Sequence, residues 1–207
     1  MERRLNLEAL VDRILDAVDE EAYLMPADQA DPGQRAALEE IAFALSEPDF
    51  DAPAIRRLII RLHAAGRIDR IMMLSALHVV AAHPSVCDWA EAARLSGEQE
   101  QAALEAGGPR LQAHLASVDR HRGVQAFLQR HHEVALEHFA RAFEREHSAE
   151  NLGNVLCTLV ALGEIAQARE LLCRVRTTFP HPLVERLDVR IASDPDLALL
   201  RGEETPE

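Results

Sequence analysis

Ala135-Leu136-Glu137-His138-Phe139-Ala140-Arg141-Ala142 is followed, 33 positions later, by Ala168-Arg169-Glu170-Leu171-Leu172-Cys173-Arg174-Val175. In both blocks the first residue is alanine, the fifth is large and apolar (Phe139, Leu172) and the eighth is small or β-branched (Ala142, Val175). Steps of four and three residues put these positions on one side of a helix. An alanine there lets a second helix come close. A period near 33 residues marks an array of helical hairpins, each covering the apolar face that its neighbour cannot bury alone. The segment from Ala116 to Pro180 therefore reads as two successive helix pairs.

The flanking sequence supplies the punctuation. Pro109 suits the first turn of a long helix from about Arg110 to Gln129, and His132 to Glu146 returns against it. Ser148 is placed to cap a helix from Asn151 to Leu162 with Leu152, Val155, Leu156 and Leu159 inward. Ile165 to Thr178 follows, with Ala168, Leu171, Leu172 and Val175 inward. Phe179-Pro180-His181-Pro182 then stops the element. Leu183 to Ile191 and a short turn over Leu197 to Leu200 read as the cap of the stack.

Gly123 lies twelve residues before Ala135, Gly163-Glu164-Ile165 marks the turn between two helices, and Pro180 closes the second block. On these residues the segment 116–182 resembles a tetratricopeptide repeat pair, with a weaker match over 53–115. Asp119, Ala126 and His147 stand where that family has Trp, Tyr and Pro. A series Gly66, Gly97, Arg130 and Gly163, spaced 31, 33 and 33, extends the rhythm towards the N-terminus.

Upstream, Leu5, Leu7, Leu10, Val11, Ile14, Leu15 and Val18 recur at helical spacing opposite Asp12, Arg13, Asp16, Asp19 and Glu20. One amphipathic helix is expected within residues 1–23, packed on the domain or docked in a partner or a second copy. Pro26 to Gly33 is a turn-rich break. Gln34 to Ser46 is expected to be helical with Leu38, Ile41, Ala42 and Leu45 inward. Asp51 is the N-cap of the next helix, which pairs with Ile68–Ala82 across Ala65-Gly66-Arg67. Pro84 to Leu95 is expected to form a helix ended by Ser96-Gly97, and Gly107-Gly108-Pro109 cuts the following one short. The expected organisation is an N-terminal helix (1–23), a degenerate helical-repeat region (34–115) and tetratricopeptide-like repeats with a capping helix (116–201).

Composition agrees with an all-α class. Apolar residues are 48% and aromatics only 4% of 207, with Ala and Leu dominant, which favours closely approaching helices over sheets. All 22 cations are Arg, as the chain has no Lys. That excludes P-loop lysines, Schiff-base lysines and Ser–Lys dyads. A net charge of −13 disfavours nucleic acid and anionic membrane surfaces. Cys87, Cys157 and Cys173 lack C-x-x-C spacing and read as small buried hydrophobes. Acidic residues appear too early for a secretory h-region, and no apolar run reaches about 18 residues, so a cytoplasmic protein without membrane insertion is expected.

No catalytic set emerges, and neither a cofactor nor a metal is expected. His131-His132-Glu133-Val134-Ala135-Leu136-Glu137-His138 is not H-E-x-x-H, since Leu136 occupies the fourth place after His132. Solvated or hinge histidines are its simplest reading. A metal-dependent hydrolase using this region with His121 or His147 is the alternative from another class.

The resemblance implies a right-handed solenoid of hairpins whose first helices line a concave groove. Transferred position by position, the groove takes Ser117, Arg120, Val124 and Phe127 from one unit, Asn154, Cys157 and Val160 from the next, and Arg186 and Arg190 from the cap. Three Arg around an apolar floor suit an acidic or C-terminal peptide with an apolar side chain. The competing reading makes Val124 and Phe127 core and the Arg residues ordinary surface charges. The expected function is thus a non-enzymatic adaptor or scaffold for a peptide or helix of another protein. An alternative is a secretion-type tetratricopeptide chaperone for an apolar export substrate, dimerising through the N-terminal helix.

Overall fold

A computed structural model describes Arg13 and residues 32–201. The N-terminal helix expected within 1–23, most of the break at 26–33, and the tail from 202 lie outside the described residues. Among those described, the chain is all-helical, with no strand: nine α-helices and one 3-10 helix. They are α1 (Pro32–Ser46), α2 (Ala52–Ala64), α3 (Arg70–Ala82), α4 (Trp89–Ala106), α5 (Leu111–Leu128), α6 (His132–Arg145), α7 (Ala149–Ala161), α8 (Ile165–Thr178) and α9 (His181–Ser193), with the 3-10 turn over Pro195–Leu200. Two compact units divide within α5, between Gln125 and Ala126.

In the unit Ala27–Gln125, side-chain caps set the helix starts. Asp51 accepts from the Ala54 amide at 3.0 Å, Asp69 from Met72 at 2.8 Å and Asp88 from Glu91 at 3.0 Å. Each satisfies an amide that the first turn leaves without a carbonyl. Ile41, Ile55, Ile59, Leu62, Ile68 and Val80 form one core cluster, while Leu74, Leu95, Ala103 and Leu115 belong to a second. Burying each Leu or Ile contributes about 1.5–3 kcal/mol over leaving it exposed.

Three expectations are corrected, two of them within this unit and one on the cysteines of both. Ser96-Gly97 does not end a helix. The segment 84–87 is a turn in which Cys87 has φ 51°, and α4 starts at Trp89 and runs through Gly97. The buried stripe Ala92, Leu95, Ser96, Gln99, Ala102 and Ala103 continues across the glycine. That packing outweighs the ~1 kcal/mol that glycine costs a helix interior. Leu38 and Ala42 are not core, since α1 buries Ala37 and Ile41 instead. Of the three cysteines, Cys87 and Cys173 are exposed and only Cys157 is buried.

The unit from Ala126 onward has one continuous core. All six matched positions of the two blocks are buried: Ala135, Ala142, Ala168 and Val175 at 0%, Phe139 at 2% and Leu172 at 4% exposure. Leu152, Val155, Leu156 and Leu159 of α7 are all at 0%. Helix α7 packs against α6, α8, α9 and the 3-10 turn, and so forms the centre of this unit.

The helix turns repeat as well. Gly163 N–H donates to Val160 O at 3.0 Å and Glu164 N–H to Leu159 O at 2.9 Å; Arg130 N–H donates to Phe127 O and His131 N–H to Ala126 O, both at 2.9 Å. Gly66 and Arg67 make the same pair of bonds to His63 and Leu62. This is the helix-ending motif that needs a left-handed residue, and φ is 82° at Gly163, 70° at Gly66 and 61° at Arg130. Of the glycine series, the Gly97 member is lost and the other three positions make one turn.

Candidate functional site

The expected groove residues divide between the two units. Ser117, Arg120 and Val124 belong to the first, Ser117 and Arg120 half-buried and Val124 37% exposed. The other six belong to the second, where Phe127 and Val160 are half-buried against the core.

Three of those six come together as an internal latch. Arg190 of α9 donates to Asn154 Oδ1 at 2.7 Å and to the Glu150 carbonyl at 2.8 Å, and lies 3.8 Å from Asp194. Cys157 Sγ contacts Asp194 Oδ2 at 3.6 Å. Burial first, and the Asp194 carboxylate second, push the Cys157 thiol up to about 12. Arg190, Asn154 and Cys157 thus tie α9 and the following turn to α7. Arg186 is exposed, and one turn further on Val189 is 69% exposed.

Asn151, buried at 0%, donates from Nδ2 to Glu146 O at 2.9 Å and to Ala142 O at 3.2 Å. It satisfies carbonyls at the end of α6, while Ser148 caps α7 by accepting from the Asn151 amide at 3.2 Å.

The histidines around 131–138 go separate ways. His131 is exposed at the start of α6, His132 packs edge-on against Phe127 at 4.9 Å, and His138 Nδ1 accepts from Arg141 at 2.6 Å. No group of three potential metal ligands occurs among the described residues.

Sequence reasoning missed a buried polar chain in the first unit. His121 Nδ1 lies 3.0 Å from Gln99 Oε1, Gln99 Nε2 donates to Ser117 Oγ at 3.4 Å, and His121 Nε2 lies 3.3 Å from Ser75 Oγ. With the Gln99 amide so oriented, His121 carries its proton on Nδ1 and Ser75 donates to Nε2. His78 stacks on His121 at 4.4 Å and donates from Nδ1 to Ala92 O at 2.9 Å, which leaves its buried Nε2 without a hydrogen bond. Burial is the chief cause holding both imidazoles below their ordinary range, His121 well below, so both are neutral near pH 7.

This chain underlies a cavity of about 300 Å³ between α1, α3 and α5. Leu38, Ile41, Ala42 and Leu45 line it from α1, and Met72, Ser75, Ala76 and Val79 from α3. Arg110, His114 and Ser117 line it from the α5 side, with Gln99 beneath. His114 is held below its ordinary range by burial, then by Arg110, against an opposing pull from Asp69. The signal that could have found the site is the spacing 110, 114, 117, 121, a polar stripe along one side of a helix that elsewhere buries Leu115, Ala116 and Val118.

No helix among the described residues is long and apolar enough to cross a membrane. Compared with protein-family models, with curated proteins and with solved structures, the chain gave no match.

Proposed function

We propose that the protein is a non-enzymatic interaction module: a right-handed, tetratricopeptide-like stack of hairpins from α6 to α9 that holds a peptide or helix of another protein. The observation that carries this reading is the repetition itself. Two blocks 33 residues apart bury the same positions and end the preceding helix in the same turn, at Arg130 and Gly163. The contact of α7 with both α8 and α9 supports it, because alternate helices are neighbours in such a stack. A cytoplasmic location goes with the same reading.

The contact surface is revised from the expected groove. Arg190, Asn154 and Cys157 are occupied in joining α9 to α7, which leaves Arg186 and Val189 as the outward pair of α9. An Arg fork three residues from an exposed valine suits a carboxylate beside an apolar side chain. Selection from a random peptide library displayed against the full chain tests this. The expected result is enrichment of peptides with an acidic residue next to an apolar one, retained by the wild type and lost on Arg186→Glu. Peptides without that pairing, or retention that ignores Arg186, would overturn the surface.

A further inference from the structure

We propose that the cavity between α1, α3 and α5 binds a medium-chain monocarboxylate, its hydrocarbon body against α1 and α3 and its carboxylate on Arg110. The site lies within the unit Ala27–Gln125 and is independent of the peptide surface on α9.

Charge is the first argument. The chain carries 35 acidic residues and a net charge of −13, yet the residues around this cavity include Arg110 and no Asp or Glu, with His114 neutral near pH 7. Arg110 is exposed and makes no ion pair among the described residues. A neighbouring cavity of about 680 Å³ shares Arg110 and His114 but adds Asp69 and Glu105, with Glu105 3.6 Å from Arg70. Only the smaller cavity favours an anion.

Shape and polarity set the rest. The walls from α1 and α3 are apolar except for Ser75, whereas Arg110, just before α5, and His114 and Ser117 of α5 follow at helical spacing. Ser117 Oγ accepts from Gln99 and keeps its own proton to donate, whereas Ser75 spends its proton on His121. Polar groups thus line one wall and face hydrocarbon on the others. A volume of about 300 Å³ is at the small end for ligand sites. At ~30 Å³ per water-sized group it takes about ten non-hydrogen atoms. Octanoate has the matching size, a single charge and an apolar tail.

The test titrates octanoate into the full chain by calorimetry and by ligand-observed NMR, with 1-octanol as the neutral comparator. Saturable one-to-one binding is expected, octanol binding at least about tenfold more weakly, since a charge-assisted Arg contact contributes ~1.5–3 kcal/mol. Arg110→Gln should weaken octanoate about tenfold and leave octanol unchanged. Ala42→Trp, at an exposed position lining the cavity, should abolish binding of both. Both sites lie outside the cores, and a melting curve on each variant verifies folding. Failure of octanoate to saturate at millimolar concentration, equal binding of octanol, or indifference to both substitutions would overturn the proposal.

Discussion

The side chain of Arg190 lies directly over Gly153: a Cβ added to that glycine would come within 2.6 Å of Arg190 Cδ and Nε. A buried glycine in the middle of α7 is therefore the space through which the α9 arginine reaches Asn154 and the Glu150 carbonyl. Alanine in an open helix interior stabilises by about 1 kcal/mol over glycine. Here Gly153→Ala should forfeit that gain and destabilise by up to about 1 kcal/mol, because it displaces Arg190 from bonds worth ~1–2 kcal/mol. In an Arg190→Ala background the same change should become stabilising. Urea unfolding of the four proteins of this cycle measures the reversal, and additive effects would contradict the contact.

Arg130 holds φ at 61°, a conformation that costs an L-residue about 1 kcal/mol and glycine almost nothing. Arg130→Gly should raise stability by about 0.5 kcal/mol after the entropic cost of glycine, whereas Gly163→Ala, at φ 82°, should lower it by about 1 kcal/mol. Opposite signs at the two equivalent turns are the expected result in denaturant melts. Equal signs would mean that the turns differ.

His121 and His78 are neutral in the folded chain and take a proton when unfolded. Because the folded pKa lies below the unfolded value of about 6.5, their contribution is complete above pH 6.5 and is lost as pH falls below it towards the folded pKa. Each such histidine removes up to ~1.4 kcal/mol per pH unit in that window. Between pH 7.5 and 5.5 the wild type should lose about 1 kcal/mol more than His121→Gln, measured by urea unfolding at each pH. Equal losses would show that the buried imidazole does not titrate in this way.

Thiol accessibility follows from the same packing. Cys87 and Cys173 are exposed, while the Cys157 thiol is pushed up to about 12, so a disulfide reagent at pH 8 should modify two thiols quickly and the third only on unfolding. Three fast thiols would place Cys157 at the surface.

The helices of the second unit were legible because their signals are local. Ser148, Ala168 and Pro180 fix ends and faces by spacing alone, and the span Ile165–Thr178 matches the sequence reading residue for residue. Gly97 misled because the continuation of α4 is decided by what Leu95, Gln99 and Ala103 pack against, which is tertiary information. The groove assignment took Arg190 as available, whereas its partners lie 36 and 40 residues away in sequence and leave no periodic trace. The Ser75–His121–Gln99 chain was illegible for the same reason, since three helices supply one residue each.

The central claim is that the outward face of α9 holds another chain through Arg186. Fluorescence anisotropy with a library-selected acidic–apolar peptide measures it, using wild type, Arg186→Glu and, as a control in the other unit, Arg110→Gln. The account predicts an affinity at least about tenfold weaker for Arg186→Glu, equivalent to ~1.4 kcal/mol, and no change for Arg110→Gln. Equal affinity for wild type and Arg186→Glu would contradict it.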